Sequence, residues 1–211
     1  MKKGAIFDLD GTLVDTLALH TEAWIKLFSK YGIELSEEEE KEHSGKKNVF
    51  FINLVLKRRN KDGLNADILS REKDSIVIDM VRNGPPVVHP GVKELLIMLK
   101  NRGTKLALAT SATRATAELL AKNLLEMFEV KVFAEDVVHG KPDPEIFLKA
   151  AEGLNLSPSE CVVFEDAESG VTAAKAGGFY CVAKENHLGQ NLNDADLIIE
   201  DYEPQEILSL F

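Results

Sequence analysis

The stretch "FDLDGTLVDT", residues 7 to 16, places Asp8, Asp10 and Asp15 within eight positions, directly after a short apolar run. Two carboxylates held about 4 Å apart repel each other by roughly 4 kcal/mol at an effective dielectric constant near 20. A folded protein retains such a pair when a cation, a shared proton or a chemical task compensates for the repulsion. Asp8 and Asp10 therefore mark a candidate site for chemistry.

Five further residues with charged or hydroxyl side chains follow later apolar runs: Thr110, Ser111, Lys141, Glu165 and Asp166. Carboxylates are hard oxygen ligands of the kind that Mg²⁺ prefers, and a lysine and a hydroxyl can donate to phosphate oxygens. Each motif alone is more often a helix cap, a turn or a surface pair. Their joint occurrence at the ends of apolar runs predicts a cation site beside an anion site.

The elements that must position these residues alternate between strand and helix from residue 92 onward, and the run 4–8 reads as a further strand. This alternation predicts an α/β fold, a doubly wound parallel sheet with helices on both faces. In such sheets ligands bind at the carboxyl ends of the strands, where the candidate residues stand. Asp143 and Pro144 predict the cap and the first residue of a helix that fixes the place of Lys141.

Residues 16–82 instead show helical spacing throughout, including a capping box at Ser36 and Glu39 whose acidic run we expect to be a solvated first turn. Thr16 is the expected cap of the first of these helices. The segment "RNGPPVVHPG", residues 82 to 91, suits a connector. We therefore predict an α/β core formed by 1–15 and 83–211 and an all-helical cap formed by 16–82, with hinges near 14–17 and 82–88.

The composition excludes several classes of partner. The chain has 211 residues, a formal net charge of −10 and 45% hydrophobic residues. An acidic protein lacks the basic footprint that nucleic acids and anionic membranes require. Cys161 and Cys181 lie in apolar runs without metal-ligand spacing, which predicts reduced core thiols. The start of the chain does not read as a signal peptide, so we expect a cytoplasmic protein. The oligomeric state does not follow from the sequence.

The segments "DLDGTLVDT", "ATS", "GKPDPEIF" and "VVFEDAESGVTAAKAGG" together resemble the four motifs of the haloacid dehalogenase superfamily, in its branch with a small helical cap. The likeness is to sugar-phosphate phosphatases and β-phosphoglucomutases, and it covers 1–15 and about 88–200.

The resemblance implies that Asp8 is a nucleophile that becomes an aspartyl-phosphate and that Asp10 is the general acid/base, with its backbone carbonyl on the metal. It implies that Thr110 and Lys141 hold the phosphoryl group. It also implies that Mg²⁺ is bound by Asp8, Asp10, Glu165 and Asp166. These roles agree with physical chemistry, because a carboxylate attacks a phosphate dianion only when cations offset the charge.

The candidate substrate-binding residues are Ser111 in the core and His20, Lys46 and Lys47 in the cap. A lone histidine on an apolar helix face, such as His20 one turn before Trp24, is usually a packed residue. The resemblance instead implies that His20 meets the acid/base aspartate when the cap closes.

A second cap candidate is the loop "HSGKKN". Mutases that this sequence resembles hold the non-reacting phosphate there with a lysine before the glycine and an arginine three residues after it. Here Ser44 and Asn48 stand at those positions, although Lys46 and Lys47 could substitute.

The sequence therefore predicts a Mg²⁺-dependent phosphatase acting on a small phosphorylated metabolite, which the resemblance implies is a sugar phosphate. A β-phosphoglucomutase is the alternative, and a non-catalytic phosphoacceptor or interaction protein is the third. A phosphoacceptor domain needs no cap, and dehalogenases of the superfamily lack an aspartate at the place of Asp10. No motif residue is lost, which disfavours an inactive protein.

Overall fold

The strands of the protein are short and are separated by helices over most of the chain. The computed structural model describes residues 1–61 and 63–211. The strands are β1 (Gly4–Phe7), β2 (Val14–Asp15), β3 (Val87–Val88), β4 (Lys105–Ala109), β5 (Val130–Val132), β6 (Cys161–Glu165), β7 (Tyr180–Lys184) and β8 (Leu197–Ile199).

The helices fall into a first group that follows β2 directly and a second group that alternates with the later strands. They are α1 (Leu17–Lys30), α2 (Glu37–Glu42), α3 (Asn48–Arg58), α4 (Ala66–Asn83), α5 (Val92–Asn101), α6 (Arg114–Leu125), α7 (Glu145–Gly153), α8 (Glu168–Ala176) and α9 (Pro204–Leu208). None of the helices in the described part of the chain combines the length and the apolar character that a membrane span requires.

Among the described residues, six strands form one parallel sheet in the order β5-β4-β1-β6-β7-β8. The central strand β1 pairs with β4 and β6, and Phe7 lies opposite Leu108 and Phe164. Because parallel neighbours end at the same edge, the residues that follow β1, β4 and β6 converge there. The predicted α/β class is confirmed.

Helices cover both faces of this sheet. Along β1, Ala5 and Phe7 pack into an apolar cluster with α5 and α6, whereas Ile6 between them packs with α7 and α8. This alternation follows from the period of two along a strand. The predicted doubly wound arrangement is therefore confirmed, and the buried sheet gives the site a rigid floor.

Helices α1, α3 and α4 share an apolar cluster of their own. Trp24, Phe28 and Phe51 lie at its centre, and the Trp24 ring centroid is 5.7 Å from that of Phe28 and 5.0 Å from that of Phe51. β2 and β3 pair antiparallel, so the two connections to the core run side by side. The separate cluster supports the division into a core (1–15 and 83–211) and a cap (16–82), which stays a prediction.

Three local expectations need correction. The capping box of Ser36 and Glu39 is present, but Glu39 is buried and its carboxylate lies 2.7 Å from Arg59 Nη2 rather than in solvent. Thr16 precedes α1, but its hydroxyl makes no capping bond there. α7 begins at Glu145, one residue later than predicted. Asp143 Oδ1 accepts a hydrogen bond from the backbone N–H of Glu145 at 2.9 Å.

The two cysteines follow the sequence prediction. Cys161 and Cys181 are both buried and free. Burial raises the pKa of the Cys161 thiol to about 11, so it is held in its neutral form. Both cysteines are therefore core residues of the sheet.

A buried histidine of the cap has a strongly altered titration. The His43 ring packs beside Trp24 and Phe51 at centroid distances of 6.2 and 5.9 Å, and its Nε2 lies 3.2 Å from Thr21 Oγ1. Burial, with electrostatic interactions from the nearby His20 and Lys73, lowers the pKa of His43 to about 3. The folded protein therefore holds this ring in its neutral form.

We predict that His43→Phe reduces the acid sensitivity of the protein. Between about pH 6.5 and pH 3 the unfolded chain binds a proton at this position and the folded chain does not, so stability falls as the pH falls through that window. From pH 7 to pH 5 this single group accounts for about 2 kcal/mol. Urea unfolding at both pH values should show a loss of stability smaller by that amount in His43→Phe. An equal loss in both proteins would assign the acid sensitivity to other groups.

Candidate active site

Backbone hydrogen bonds of the central strands hold the first site residues at the sheet edge. The backbone N–H of Asp8 donates to the Phe164 carbonyl at 3.0 Å, and that of Thr110 donates to the Val132 carbonyl at 3.0 Å. Phe7 and Phe164 stack directly beneath, with ring centroids 4.3 Å apart. Asp8 therefore extends from a packed strand end rather than from a mobile loop.

Lys141 forms a buried ion-pair cluster with two carboxylates. Its Nζ donates to Asp8 Oδ1 at 2.5 Å and to Glu165 Oε1. Glu165 Oε2 accepts the backbone N–H groups of Asp166 and Ala167 at 2.9 and 3.0 Å. The ammonium and both carboxylates are thus fixed relative to one another.

Asp166 is held by donors from two other segments. Thr12 Oγ1 donates to Asp166 Oδ1 at 3.0 Å, and Asn186 Nδ2 donates to Oδ2 at 2.9 Å. Gly11, at φ 78°, passes so close to this carboxylate that a Cβ would lie 2.7 Å from its Cγ. A side chain at Gly11 would therefore displace Asp166.

The donor set fits a divalent cation. Asp8, Glu165 and Asp166 are buried and each offers an oxygen, all within 4.8 Å of one another. Burial and mutual repulsion raise the pKa of Asp8 well above its ordinary value, although Lys141 opposes the rise. Burial and the Glu165 charge raise the pKa of Asp166 to about 8. One ammonium does not balance this set, so a further positive charge among these hard oxygen ligands would stabilise it.

Asp10 begins a hydrogen-bonded chain that leads into the cap. Its Oδ1 accepts from Thr16 Oγ1 at 2.7 Å and lies 2.9 Å from His20 Nε2. On the other side of the ring, Lys73 Nζ lies 2.8 Å from His20 Nδ1. An ammonium can only donate, so Nδ1 accepts and Nε2 carries the hydrogen that His20 donates to Asp10.

This chain keeps Asp10 ionised. Burial acts to raise the pKa of Asp10, but the electrostatic interaction and hydrogen bond with His20, the hydrogen bond from Thr16 and the charge of Lys73 lower it to about 2. Asp10 is thus a carboxylate positioned to accept a proton, beside Asp8, which is surrounded by other carboxylates. The two aspartates of the opening motif occupy different electrostatic environments.

Thr110 and Ser111 lie at the same cavity as Asp8 and Asp10. Thr110 is buried, and its Oγ1 accepts the backbone N–H of Ala112 at 3.0 Å, which leaves the hydroxyl hydrogen for another acceptor. Ser111 Oγ instead donates to the carbonyl of Gly45 in the cap, at 2.8 Å. Ser111 therefore connects core and cap in this arrangement.

The two lysines of the cap loop lie in different places. Lys46 lines the central cavity, and its Nζ is 3.6 Å from Glu42 Oε1. Lys47 is absent from the described lining of that cavity. Its Nζ donates to the carbonyls of Val137 and Val138 in the core, at 2.7 and 3.4 Å. The structure therefore brings Lys46 to the site and directs Lys47 to a contact between cap and core.

Comparison with known proteins identifies the family of the chain. The model of the haloacid dehalogenase-like hydrolases matches residues 2–178. The chain belongs to the haloacid dehalogenase-like hydrolase family. This confirms the family predicted from the sequence motifs and the prediction that the chain is an enzyme, a phosphohydrolase.

Individual members of the family are similar over nearly the whole chain. A phosphorylated carbohydrates phosphatase of Thermotoga maritima is 34% identical over 218 residues, covering 99% of this chain and 97% of the relative. A β-phosphoglucomutase of Bacillus subtilis is 31% identical over 204 residues, covering 93% and 88%. The crystal structure of a β-phosphoglucomutase from Clostridium difficile superposes with a TM-score of 0.87 at 27% identity, covering 100% and 97%.

In this hydrolase the cap closes the cavity through bonds to backbone carbonyls. Besides Ser111, the core residues Ser169 and Gln190 donate to the cap carbonyls of Ser44 and Lys41, at 3.2 and 2.9 Å. The cavity between core and cap measures about 50 Å³. Ligand pockets usually measure about 300–1,000 Å³, and the small volume supports the prediction that the cap moves to admit a substrate.

Sequence reasoning missed several residues of the site, notably Lys73, Thr12 and Asn186. The sequence does indicate that Lys73 is buried, because it lies on the apolar face of α4 between Leu69 and Val77. A lysine on a buried helix face needs a partner, which here is His20. No sequence pattern indicates Thr12 or Asn186, since their contacts with Asp166 depend on how separate loops approach it.

Proposed function

We propose that this hydrolase is a Mg²⁺-dependent phosphatase that removes the phosphoryl group from a small phosphorylated sugar through an aspartyl-phosphate on Asp8. The observation that carries the proposal is the position of Asp8, which shares a cavity with Asp10 and Thr110 and contacts Lys141. The phosphatase of Thermotoga maritima supports the reaction type and the carbohydrate substrate class.

Asp8, Glu165 and Asp166, with the backbone carbonyl of Asp10, would hold the Mg²⁺ ion. When bound, the ion supplies positive charge that offsets the repulsion between the phosphoryl group and the carboxylates. The fit rests on the three buried oxygen ligands and on the raised pKa values of Asp8 and Asp166.

The two aspartates would act in succession. A carboxylate oxygen of Asp8 forms a bond to phosphorus while the bond to the sugar oxygen breaks, and Asp10 gives that oxygen a proton. Asp10 then takes a proton from water, whose oxygen attacks phosphorus and releases Asp8. Lys141 and Thr110 donate to the oxygens of the phosphoryl group in both steps.

Before the first step Asp10 must gain a proton. The phosphoryl group adds negative charge to the cavity, which raises the pKa of Asp10 above the value of about 2 that its contacts with His20 and Thr16 favour. His20 Nε2 and Thr16 Oγ1 both contact Oδ1, so Oδ2 is the oxygen left for proton transfer. The positioning of Asp10 by His20 therefore couples cap closure to acid/base chemistry.

A β-phosphoglucomutase is the second candidate, favoured by the relative in Bacillus subtilis. A mutase must grip the non-reacting phosphate of a bisphosphorylated intermediate. Lys46 and Lys47 were the two lysines predicted as possible ligands of that phosphate. Lys47 instead donates to backbone carbonyls of the core, and Lys46 lies near the carboxylate of Glu42. We therefore favour hydrolysis. The cytoplasmic location stays a prediction.

The proposed function is tested by measuring phosphate release from a panel of phosphorylated sugars and polyols, with Mg²⁺ and with EDTA. We expect release from at least one sugar phosphate, and EDTA should abolish it. Turnover of none of the panel, or full turnover in EDTA, would overturn the proposal.

Incubation with β-glucose 1-phosphate, Mg²⁺ and a trace of glucose 1,6-bisphosphate separates the two candidates. Hydrolysis releases phosphate. Rapid formation of glucose 6-phosphate with negligible phosphate release would establish the mutase. In that case Lys46→Ala and Lys47→Ala would show whether either lysine holds the second phosphate.

Asp10→Asn is expected to separate the two chemical steps. An asparagine cannot protonate a sugar oxygen, whereas an aryl leaving group such as p-nitrophenolate leaves without a proton. We expect the variant to lose turnover of a sugar phosphate by about 10²–10⁴-fold and to retain a burst of p-nitrophenolate from the aryl phosphate. Rapid-quench kinetics measures the burst, and full activity on the sugar phosphate would refute the acid/base role.

A further inference from the structure

The cap side of the central cavity carries a carboxylate that the proposed chemistry does not use. Asp74 on α4 lines the cavity next to Asn48, the first residue of α3. Asp74 Oδ1 accepts a hydrogen bond from Asn48 Nδ2 at 2.9 Å. The amide thus orients the carboxylate, and the Asn48 carbonyl oxygen remains as a second acceptor.

The cations of the same lining already have partners. Lys73 Nζ donates to His20 Nδ1 and lies 5.0 Å from the centroid of the Trp24 ring. Lys46 Nζ lies 3.6 Å from Glu42 Oε1. None of the described ion pairs includes Asp74. Burial raises the pKa of this carboxyl group, and the nearby charge of Lys73 opposes the rise without a direct contact.

Asp74 lies beside the N-terminus of α3, where a substrate phosphate would otherwise be attracted. The start of α3 has no side-chain cap, and the start of a helix favours negative charge. A phosphate on the substrate would be attracted to such a position, but the carboxylate of Asp74 stands beside it. Within a partly buried cavity, two like charges that close repel strongly.

We propose that Asp74 is a specificity-determining residue, which with Asn48 accepts hydrogen bonds from hydroxyl groups of a sugar monophosphate and rejects substrates that carry a second phosphate. The inference rests on the proposed phosphatase function and narrows its substrate class to monophosphates. A hydroxyl donates to a carboxylate, whereas a second phosphate offers only acceptors and further negative charge.

The test compares kcat/KM for paired substrates: fructose 1-phosphate with fructose 1,6-bisphosphate, and β-glucose 1-phosphate with glucose 1,6-bisphosphate. The wild type should prefer the monophosphates. Asp74→Asn keeps the shape and removes the charge, so the preference should fall about tenfold, chiefly through a lower KM for the bisphosphate. Asp79→Asn removes the same charge from an exposed position of α4 and should leave the preference unchanged.

Asp74→Ser provides a second variant and should also weaken the preference. An equal preference in the wild type and both Asp74 variants, or a wild type that prefers bisphosphates, would overturn the inference. Continued phosphate release from the monophosphates would still support the proposed phosphatase function. Calorimetric binding of each pair in Mg²⁺ to Asp8→Asn, which is expected to turn over at least about a thousandfold more slowly, compares mono- and bisphosphate by binding alone. If no sugar phosphate is hydrolysed, the proposed function fails, and equal binding of mono- and bisphosphate overturns the inference as well.

Discussion

Asp8→Asn should lower the rate of Mg²⁺-dependent phosphate release at least about a thousandfold while the fold is retained. The amide has nearly the volume of the carboxylate but is not a competent nucleophile, so no aspartyl-phosphate forms. Burial, together with repulsion from Glu165 and Asp166, raises the pKa of Asp8 in the wild type, and the uncharged amide removes part of that repulsion. Phosphate release and the urea midpoint, measured on the same preparation, test both statements.

The matched control is Asp15→Asn. Asp15 belongs to the same motif but is exposed, so the variant loses the same charge without changing the buried cluster. It should retain activity within a few-fold. If Asp8→Asn were as active as Asp15→Asn, the nucleophile would have to be another residue.

Lys141→Met should produce the largest loss of stability of any change at the site. The ammonium is fully buried between Asp8 and Glu165, and its removal leaves these carboxylates buried without a cation. Breaking a buried ion pair in this way costs about 3–5 kcal/mol. Urea unfolding in EDTA measures the loss, and added Mg²⁺ should recover part of it, because the ion binds the folded state.

Two further variants show whether the loss arises from unpaired charge. Lys141→Met combined with Glu165→Gln removes an unpaired carboxylate and should be more stable than Lys141→Met alone. Lys149→Met breaks a pair with Glu145 in which the lysine is 43% exposed, and it should cost less than about 1 kcal/mol. A loss for Lys141→Met as small as that for Lys149→Met would show that water reaches the cluster.

The core half of the site could be predicted because a parallel sheet leaves little freedom. Once β1, β4 and β6 are adjacent, the residues that follow them must meet at one edge, so Asp8, Thr110 and Asp166 converge whatever the loops do. The roles assigned to these residues came from the family resemblance and remain predictions to be tested.

The cap half could not be predicted to the same depth. Lys46 and Lys47 are adjacent in sequence, yet one lines the cavity and the other donates to Val137, because the direction of each depends on how α2 and α3 lie against the core. The orientation of α2 and α3 against the core depends on packing between segments far apart in the chain, and local sequence patterns do not encode that packing.

Thr16 and Glu39 show a second limit. Thr16 suits a helix cap, but Asp10 offers its hydroxyl a charged acceptor, and hydrogen bonds to charged groups are stronger than those to neutral ones. Glu39 reads as surface because its neighbours are acidic, but Arg59, 20 positions away, pairs with it. In each case a charged partner outside the helix in question outcompetes the local pattern.

The bonds by which Ser111, Ser169 and Gln190 hold the closed cap have an evolutionary consequence. Each donates to a main-chain carbonyl of the cap, and every amino acid supplies such a carbonyl. Mutations can therefore exchange side chains at positions 41 and 44 without removing a single bond of closure. Gly45 is the exception, because a Cβ there would lie 2.9 Å from that of Ala167. A lineage can thus vary positions 41 and 44 of the cap while these three closing bonds are inherited unchanged, whereas Lys47 contacts the core through its own side chain.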